Sequence, residues 1–413
     1  MSFQTLPREL LSYDRARKSF GGPPALLLLG GLNTLRPLGM GGIPVINAVS
    51  DPESYVLDSR FHRGRLVLPP LESEPERVLE LLLAAGAELS AAAGGRIPLY
   101  FGADETLLFL DQHREALSRY FLFLLNEPKV ARALLRKDEF EALALDRGLR
   151  VPRTLRRETS GNNSIAAADF PVLVKPSVKV EFHESPLFHE FFRGCAKARI
   201  FKNGKELLAS ADVEKFKSLI TVQQYIPGGD DEIYSFHGFA SPDSAVLASF
   251  CGRKIRTYPK LVGESSYLEL IHHDRLTEVG RSIVRGLGLR GVFKIDLKRN
   301  PDDGQFYMLE VNARFNLWHY LGAANGINLP RIAYDYLVDD ITPPPISYST
   351  RCRWLKFDLD RQAFKDLRRR GELSIGGWLG SILGSRKVYS LFSWRDPKPW
   401  MLRWGRAVRR RLR

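Results

Sequence analysis

The sequence predicts a parallel α/β section, then a mixed α+β section, then a basic extension. Three observations carry this reading. Strand–helix–strand alternation runs to about residue 125, two sharply alternating segments (Val292–Lys298 and Phe306–Asn312) flank a turn, and nearly all of the net positive charge lies after residue 350. The 413 residues are 44% apolar and 26% charged, which excludes disorder, a collagen-like repeat and a coiled coil, and leaves length for two or three domains. The expected divisions are 1–125, 126–345 (with a lid at about 171–221) and 346–413.

In the first section, Ala25–Leu29 reads as a buried strand ending at Gly30-Gly31, followed by strands at Ile43–Ala48, Arg65–Leu68 and Ile97–Phe101, the last leading to Asp104. Glu76–Leu89 carries helical spacing through Leu79, Leu82 and Leu83. The glycine cluster Gly39-Met40-Gly41-Gly42 precedes a strand, whereas a dinucleotide fingerprint lies between a strand and a helix N-terminus, so it reads as plain turns. Leu124–Leu149 predicts one long amphipathic helix passing Lys137. Strands follow at Phe170–Lys175 and Leu219–Ile226, then a meander over Asp231–Phe239 and Ser244–Phe250, then a helix over Leu276–Leu287.

Net charge is +14, and residues 351–413 account for +13 of it, with 18 Lys/Arg against 5 Asp/Glu. The same stretch holds five of the six tryptophans. A neutral body with a basic, Trp-rich tail is not the even positive coating of a nucleic-acid-binding domain, so no nucleic-acid partner is expected. Cys195, Cys251 and Cys352 are too scattered for a disulfide framework or a zinc cluster. The first apolar run is too short for a secretory signal, and nothing approaches the ~20 apolar residues of a membrane span, so the expected compartment is the cytoplasm.

The chemistry concentrates in the two alternating segments. If they pair as a hairpin around Asn300–Gly304, then Phe293, Ile295 and Leu297 share the core face with Leu309 and Val311. Lys294, Asp296, Glu310 and Asn312 then project from the other face. Two carboxylates and an amide oxygen converging there repel unless a cation joins them. Oxygen-only donors favour a hard ion, and Mg²⁺ completes its shell with substrate phosphates and water. Lys294 and Arg314 flank this group, where they would meet phosphate oxygens or developing negative charge. The bland alternative, a hairpin with a polar outer face, explains any one of these residues better than all of them together. Three upstream features suit a nucleotide: Lys137, Lys175 near the end of a buried strand, and Gln223-Gln224-Tyr225-Ile226, where a strand leaves for an extended hinge able to read an adenine edge. Asp231 and Glu232 follow within reach of ribose hydroxyls. Alone, each lysine reads as a solvated charge and the hinge as a linker.

Lys137, PVLVKP (Pro171–Pro176), VQQYIPG (Val222–Gly228), KID (Lys294–Asp296) and EVNARF (Glu310–Phe315) resemble, in order and spacing, the ATP-grasp superfamily over about residues 20–340. The preceding section is similar to its pre-ATP-grasp, Rossmann-like domain. DDEIYSF (Asp231–Phe236 and its lead-in) and FSWRDP (Phe392–Pro397) resemble carboxylate–amine ligases of the D-aspartate ligase type. The resemblance implies ATP with Mg²⁺, or Mn²⁺, between two subdomains. It implies a small-molecule carboxylate activated to an acyl phosphate, and a small-molecule amine attacking it to give an amide, ADP and phosphate. In that scheme Lys137 and Lys175 bind phosphates, Gln223 to Ile226 form the adenine hinge, and Asp231 or Glu232 holds ribose. Asp296, Glu310 and Asn312 hold the metal, Lys294 steadies the transferred phosphoryl group, and Arg314 stands near the acyl phosphate. Arg253, Lys254 and Arg256 are candidates for a further phosphate contact, with Arg256 put forward. The family's lid loop is usually glycine-rich, whereas Ser177–Arg199 has one glycine. The alternatives are an ATP-grasp carboxylation or carbamoyl-phosphate-like enzyme, and a non-catalytic nucleotide-binding regulator.

In the tail, Met401, Trp404, Val408 and Leu412 fall on one helical stripe among Arg403, Arg406, Arg409, Arg410 and Arg413. That pattern suits peripheral contact with an anionic membrane at its inner face. The competing expectation, which the sequence favours, is that Trp400 and Trp404 pack on the body while the arginines are solvated.

Overall fold

A computed structural model describes residues 6–13, 22–155, 170–177, 185–194 and 196–411, the last six of these by backbone alone. Cys195, part of the expected lid loop and the side chains of Arg406, Val408, Arg409, Arg410, Leu412 and Arg413 lie outside the described residues.

The amino-terminal section builds a six-stranded sheet from β1 (Leu11–Tyr13), β2 (Ala25–Leu28), β3 (Val45–Val49), β4 (His62–Val67), β5 (Ile97–Phe101) and β6 (Phe121–Leu122), in the order β1-β4-β3-β2-β5-β6. All but β1 run parallel. β2, β3 and β5 are buried at every position, which is why they read as continuous apolar runs rather than alternating ones. The helix Pro75–Ala93 covers one face with Val78, Leu81, Leu82, Ala85 and Leu89, and stops at Gly94 in the left-handed region. The helix Leu32–Met40 starts directly after Gly30-Gly31, so the turn glycines between strand and helix are these, not the later cluster.

The long helix expected over Leu124–Leu149 is instead two short ones, Pro128–Ala133 and Lys137–Asp146. Arg136 is extended between them, and the Lys137 N–H donates to Ser177 O at 3.0 Å. A tertiary hydrogen bond thus breaks the helical ladder and ties Lys137 to the strand that carries Lys175.

A three-stranded sheet β8-β7-β9 follows, from β7 (Val172–Pro176), β8 (Arg199–Phe201) and β9 (Ile220–Gln224), over its own small core of Val172, Val174, Phe191, Phe192, Phe201 and Val213. The large sheet has seven strands: β10 (Ile233–Ala240), β11 (Val246–Tyr258), β12 (Glu264–Ile271), β13 (Gly291–Arg299), β14 (Phe306–Asn312), β15 (Cys352–Leu355) and β16 (Arg386–Tyr389). Their order is β14-β13-β10-β11-β12-β15-β16. Its last two strands come from the basic extension, which is therefore woven into the sheet. Asp396, 0% exposed, accepts hydrogen bonds from Arg36 Nε (3.0 Å), Ser59 Oγ (2.8 Å) and the Arg60 N–H (2.8 Å), locking FSWRDP to the first section. Among the described residues no helix is long and apolar enough to cross a membrane.

Candidate active site

β13 and β14 pair antiparallel with Lys294 opposite Asn312 and Asp296 opposite Glu310. The hairpin expected from alternation is present, and Phe293, Ile295, Leu297 and Val311 are in the core. One residue departs from that reading. After Asp296 the register slips, Leu297 facing Met308, so β14 carries an extra residue there. Such a bulge turns two consecutive side chains to one face. Met308 takes the core position expected of Leu309, and Leu309 joins Glu310 on the cavity wall.

Asp296 is buried, with Lys294 Nζ at 2.6 Å and Ser235 Oγ donating at 2.5 Å. Burial pushes its carboxyl up, but Lys294 and Lys254 outweigh this and hold it below the usual carboxylate range. Lys137 Nζ stands 3.9 Å from Glu310 Oε2. Arg314 forks onto Asp104 (Nε–Oδ1 2.8 Å, Nη2–Oδ2 3.1 Å), at the start of the helix after β5. Its Nη2 also reaches Asn312 Oδ1 at 3.5 Å. Burial opposes the guanidinium's charge, and Asp104 more than restores it.

Asp296 and Glu310 stand where two cavities meet. The first, about 270 Å³, is lined by Lys137, Lys175, Gln223, Gln224, Tyr225, Ile226, Lys254, Asp296, Glu310 and Arg314. Leu173, Ile200 and Leu309 supply apolar surface there. The second, about 490 Å³, is lined by Lys294, Asn312 and again Asp296, Glu310 and Arg314. The hinge forms because β9 ends at Gln224, which leaves the backbone of Tyr225 and Ile226 beyond the ladder with β7. The Gln223 amide donates to Pro152 O at 2.9 Å, so this residue fixes the hinge and its side chain is already engaged.

Three candidates fall elsewhere. Arg256 is buried and doubly bonded to Asp360 (2.8 and 3.0 Å), away from both cavities. The reason is a register shift in β11: Lys254 faces Leu268 and Arg256 faces Tyr267. Two residues advance against one, so the side chains of Lys254 and Arg256 point to opposite faces. Lys254 is the one that lines the cavities, and Arg253 pairs with Glu269. Asp231 is exposed, and Glu232 is held by Arg299 (2.7 and 2.8 Å), so neither reaches the cavity wall. Their neighbour Asp230 is buried and accepts the N–H groups of Thr257 and Leu261, both at 2.8 Å.

Sequence reasoning passed over Lys298, although Lys294, Asp296 and Lys298 sit at a period of two and share the cavity face. Lys298 is 5% exposed, its ammonium 4.6 Å from the Tyr225 ring centroid, and burial lowers its pKa to about 8 against the pull of Asp230, Glu232 and Asp231. Asp104 carried no periodic signal.

The two facing carboxylates and the Asn312 oxygen fit a hard divalent ion. Among the described residues no group of three or more His, Cys, Asp or Glu could enclose a metal, so the shell would be completed from outside the protein.

Residues 246–357 match the family model described as "ATP-grasp in the biosynthetic pathway with Ter operon". Over that stretch the chain is similar to ATP-grasp proteins. A curated relative, the D-aspartate ligase of Enterococcus faecium, is 24% identical over 275 residues, which are 64% of this chain and 64% of that ligase, less than two thirds of the relative's own length. Among solved structures, the biotin carboxylase–β,γ-ATP complex from Campylobacter jejuni superposes with a TM-score of 0.58 at 13% identity, covering 80% of this chain and 74% of that one. The L-amino acid ligase of Bacillus licheniformis gives 0.56 at 15% identity, covering 80% and 79%. These likenesses carry the ATP-grasp fold.

Proposed function

We propose that this ATP-grasp chain is an ADP-forming carboxylate–amine ligase. The observation that carries the reading is the Asp296–Glu310 pair at the junction of two cavities, one suited to a nucleotide and one to the remaining substrates. The names of the D-aspartate ligase and L-amino acid ligase relatives support it.

In this reading the Tyr225–Ile226 backbone takes the adenine edge, with Leu173, Ile200 and Leu309 around the ring. Lys137, Lys175 and Lys254 neutralise phosphate oxygens. Asp296, Glu310 and Asn312 would hold Mg²⁺ or Mn²⁺, which when bound draws charge from the β- and γ-phosphates. A substrate carboxylate oxygen attacks the γ-phosphorus as the bond to ADP breaks. Lys294 steadies the moving phosphoryl group, and Arg314, held by Asp104, faces the acyl phosphate. An amine nitrogen then attacks the acyl carbon, inorganic phosphate leaves and the nitrogen loses a proton. The small sheet β8-β7-β9 is the lid that keeps water from the acyl phosphate.

The test is ADP release over a panel of acids and amines, beginning with amino acids of both hands. Release that needs both an acid and an amine is the expected result. Release with bicarbonate and no other acid would favour carboxylation chemistry, and tight ATP binding without turnover on any pair would favour a regulator.

We further propose that the outer surface of the extension touches an anionic membrane. Ile375, Leu379, Leu383, Trp394, Trp400, Met401, Leu402 and Trp404 are all exposed there, beside most of the net positive charge. Because Asp396 locks this segment to the body, the test uses Leu383→Ser with Trp404→Ser rather than truncation. Flotation of the parent chain with anionic vesicles, lost in the double variant, is expected; equal flotation discards the contact.

A further inference from the structure

We propose that Arg403 binds a second anionic group on the substrate that occupies the larger cavity, so that the basic extension sets substrate choice. The inference rests on the ligase reading and deepens it.

One wall of the larger cavity belongs to the nucleotide site: Asp296, Glu310 and Arg314 border both chambers. Lining residues that border the larger chamber alone include Asn33 and Tyr55 of the first section and Trp354, Lys356 and Arg403 of the extension. This part of the lining is rigidly built. Trp354 is 1% exposed and its indole N–H donates to Asn33 Oδ1 at 3.3 Å, while the Asp396 cluster pins the segment leading into the helix Lys398–Arg411. The extension is thus a wall of the chamber as well as an edge of the sheet.

The charge of the described lining is uneven, with six Lys or Arg side chains against three carboxylates. Lys294 is paired with Asp296, Arg314 with Asp104, and Lys356 with Glu264 at 2.9 Å. Lys197 and Lys254 border both chambers and fall to the phosphates of the nucleotide. Arg403 borders only the larger one and has no carboxylate partner among the described residues. Its guanidinium lies over the Tyr55 ring, 5.3 Å from the centroid, exposed at the mouth. A cation–π contact of this kind uses none of the guanidinium's N–H donors in a salt bridge, and a guanidinium with free donors grips a carboxylate or phosphate with two hydrogen bonds. The reacting end of a substrate must reach the metal pair, so its far end is what meets Arg403. An acid of the chamber's size with a carboxylate or phosphate at that far end satisfies both.

The experiment measures ADP release with MgATP and hydroxylamine, which captures acyl phosphates as hydroxamates. Aspartate and glutamate are compared with asparagine and glutamine for the carboxylate arm, and O-phosphoserine with serine for the phosphate arm, each in both hands. The parent chain is expected to turn over a doubly charged acid at least tenfold better, in kcat/KM, than its neutral partner. Arg403→Gln should erase that preference through KM, Arg403→Lys should recover part of it, and KM for ATP should not move. Equal use of charged and neutral partners by the parent chain overturns the proposal and leaves the ligase reading standing. An equal loss on both partners in Arg403→Gln, or a raised KM for ATP, also overturns it, since a helix that only docks would behave so. No ADP release with any acid defeats the ligase reading itself, and this inference with it.

Discussion

Glu310→Gln and Asp296→Asn each lower ATP turnover at least ~100-fold and leave the protein folded, about 2.7 kcal/mol of transition-state stabilisation on the scale of a lost charge contact. The two carboxylates face each other across β13 and β14, an arrangement that repels when empty and is relieved by a divalent ion. Neither substitution removes core volume. Asparagine at 296 keeps an oxygen for the Ser235 hydroxyl, and Glu310 is only half-buried. The stability change should therefore stay within about 1 kcal/mol for Glu310→Gln and be larger for Asp296→Asn, which also leaves Lys294 without its carboxylate. Measured together on Glu310→Gln, ADP release and a thermal melt should separate: activity collapses and the melt hardly shifts. Near-normal release by both variants would remove the metal assignment.

Asp396→Ala has its effect on stability instead. Asp396 and Arg36 are 0% and 1% exposed, and Arg36 also donates to Leu391 O at 2.6 Å. Removing the carboxylate strands a buried guanidinium and leaves the donors of Ser59 and Arg60 unmet, a loss of about 3–5 kcal/mol for one partner of a buried pair. The expected observation is a large drop in denaturant midpoint, with Asp396→Asn milder because it retains an acceptor. A midpoint equal to that of the parent chain would mean that FSWRDP does not hold the extension to the body. For the same reason a chain ending at Ser390 loses more than its tail: it loses this lock and the part of the larger cavity's wall made by Leu391 and Arg403.

The sequence was most legible where periodicity is local. Alternation through Lys294–Lys298 and Phe306–Asn312 placed the acids on one face, because side chains along a strand alternate whatever the strand packs against. It failed at the two bulges. One extra residue moved Leu309 into the cavity and separated Lys254 from Arg256, and strand pairing, not composition, decides where such a residue goes. The helix over Leu124–Leu149 was overread because its interruption is a hydrogen bond from Lys137 to Ser177, forty residues away. Spacing gives the reach of Asp231 and Glu232 but not their partners, and in the structure Arg299 holds Glu232.

By itself, then, the amino-acid order determined the parallel first section, the acid-bearing hairpin, the lysines and hinge that line the first cavity, and the concentration of charge and tryptophan after residue 350. Only the tertiary structure decided that this basic segment supplies two strands to the large sheet, buries Asp396 against Arg36 and closes the second chamber with Trp354 and Arg403. The reason is range: helix and strand periods are written in neighbours a few positions apart, whereas Arg36 and Asp396 lie 360 positions apart and meet only once every layer between them has packed.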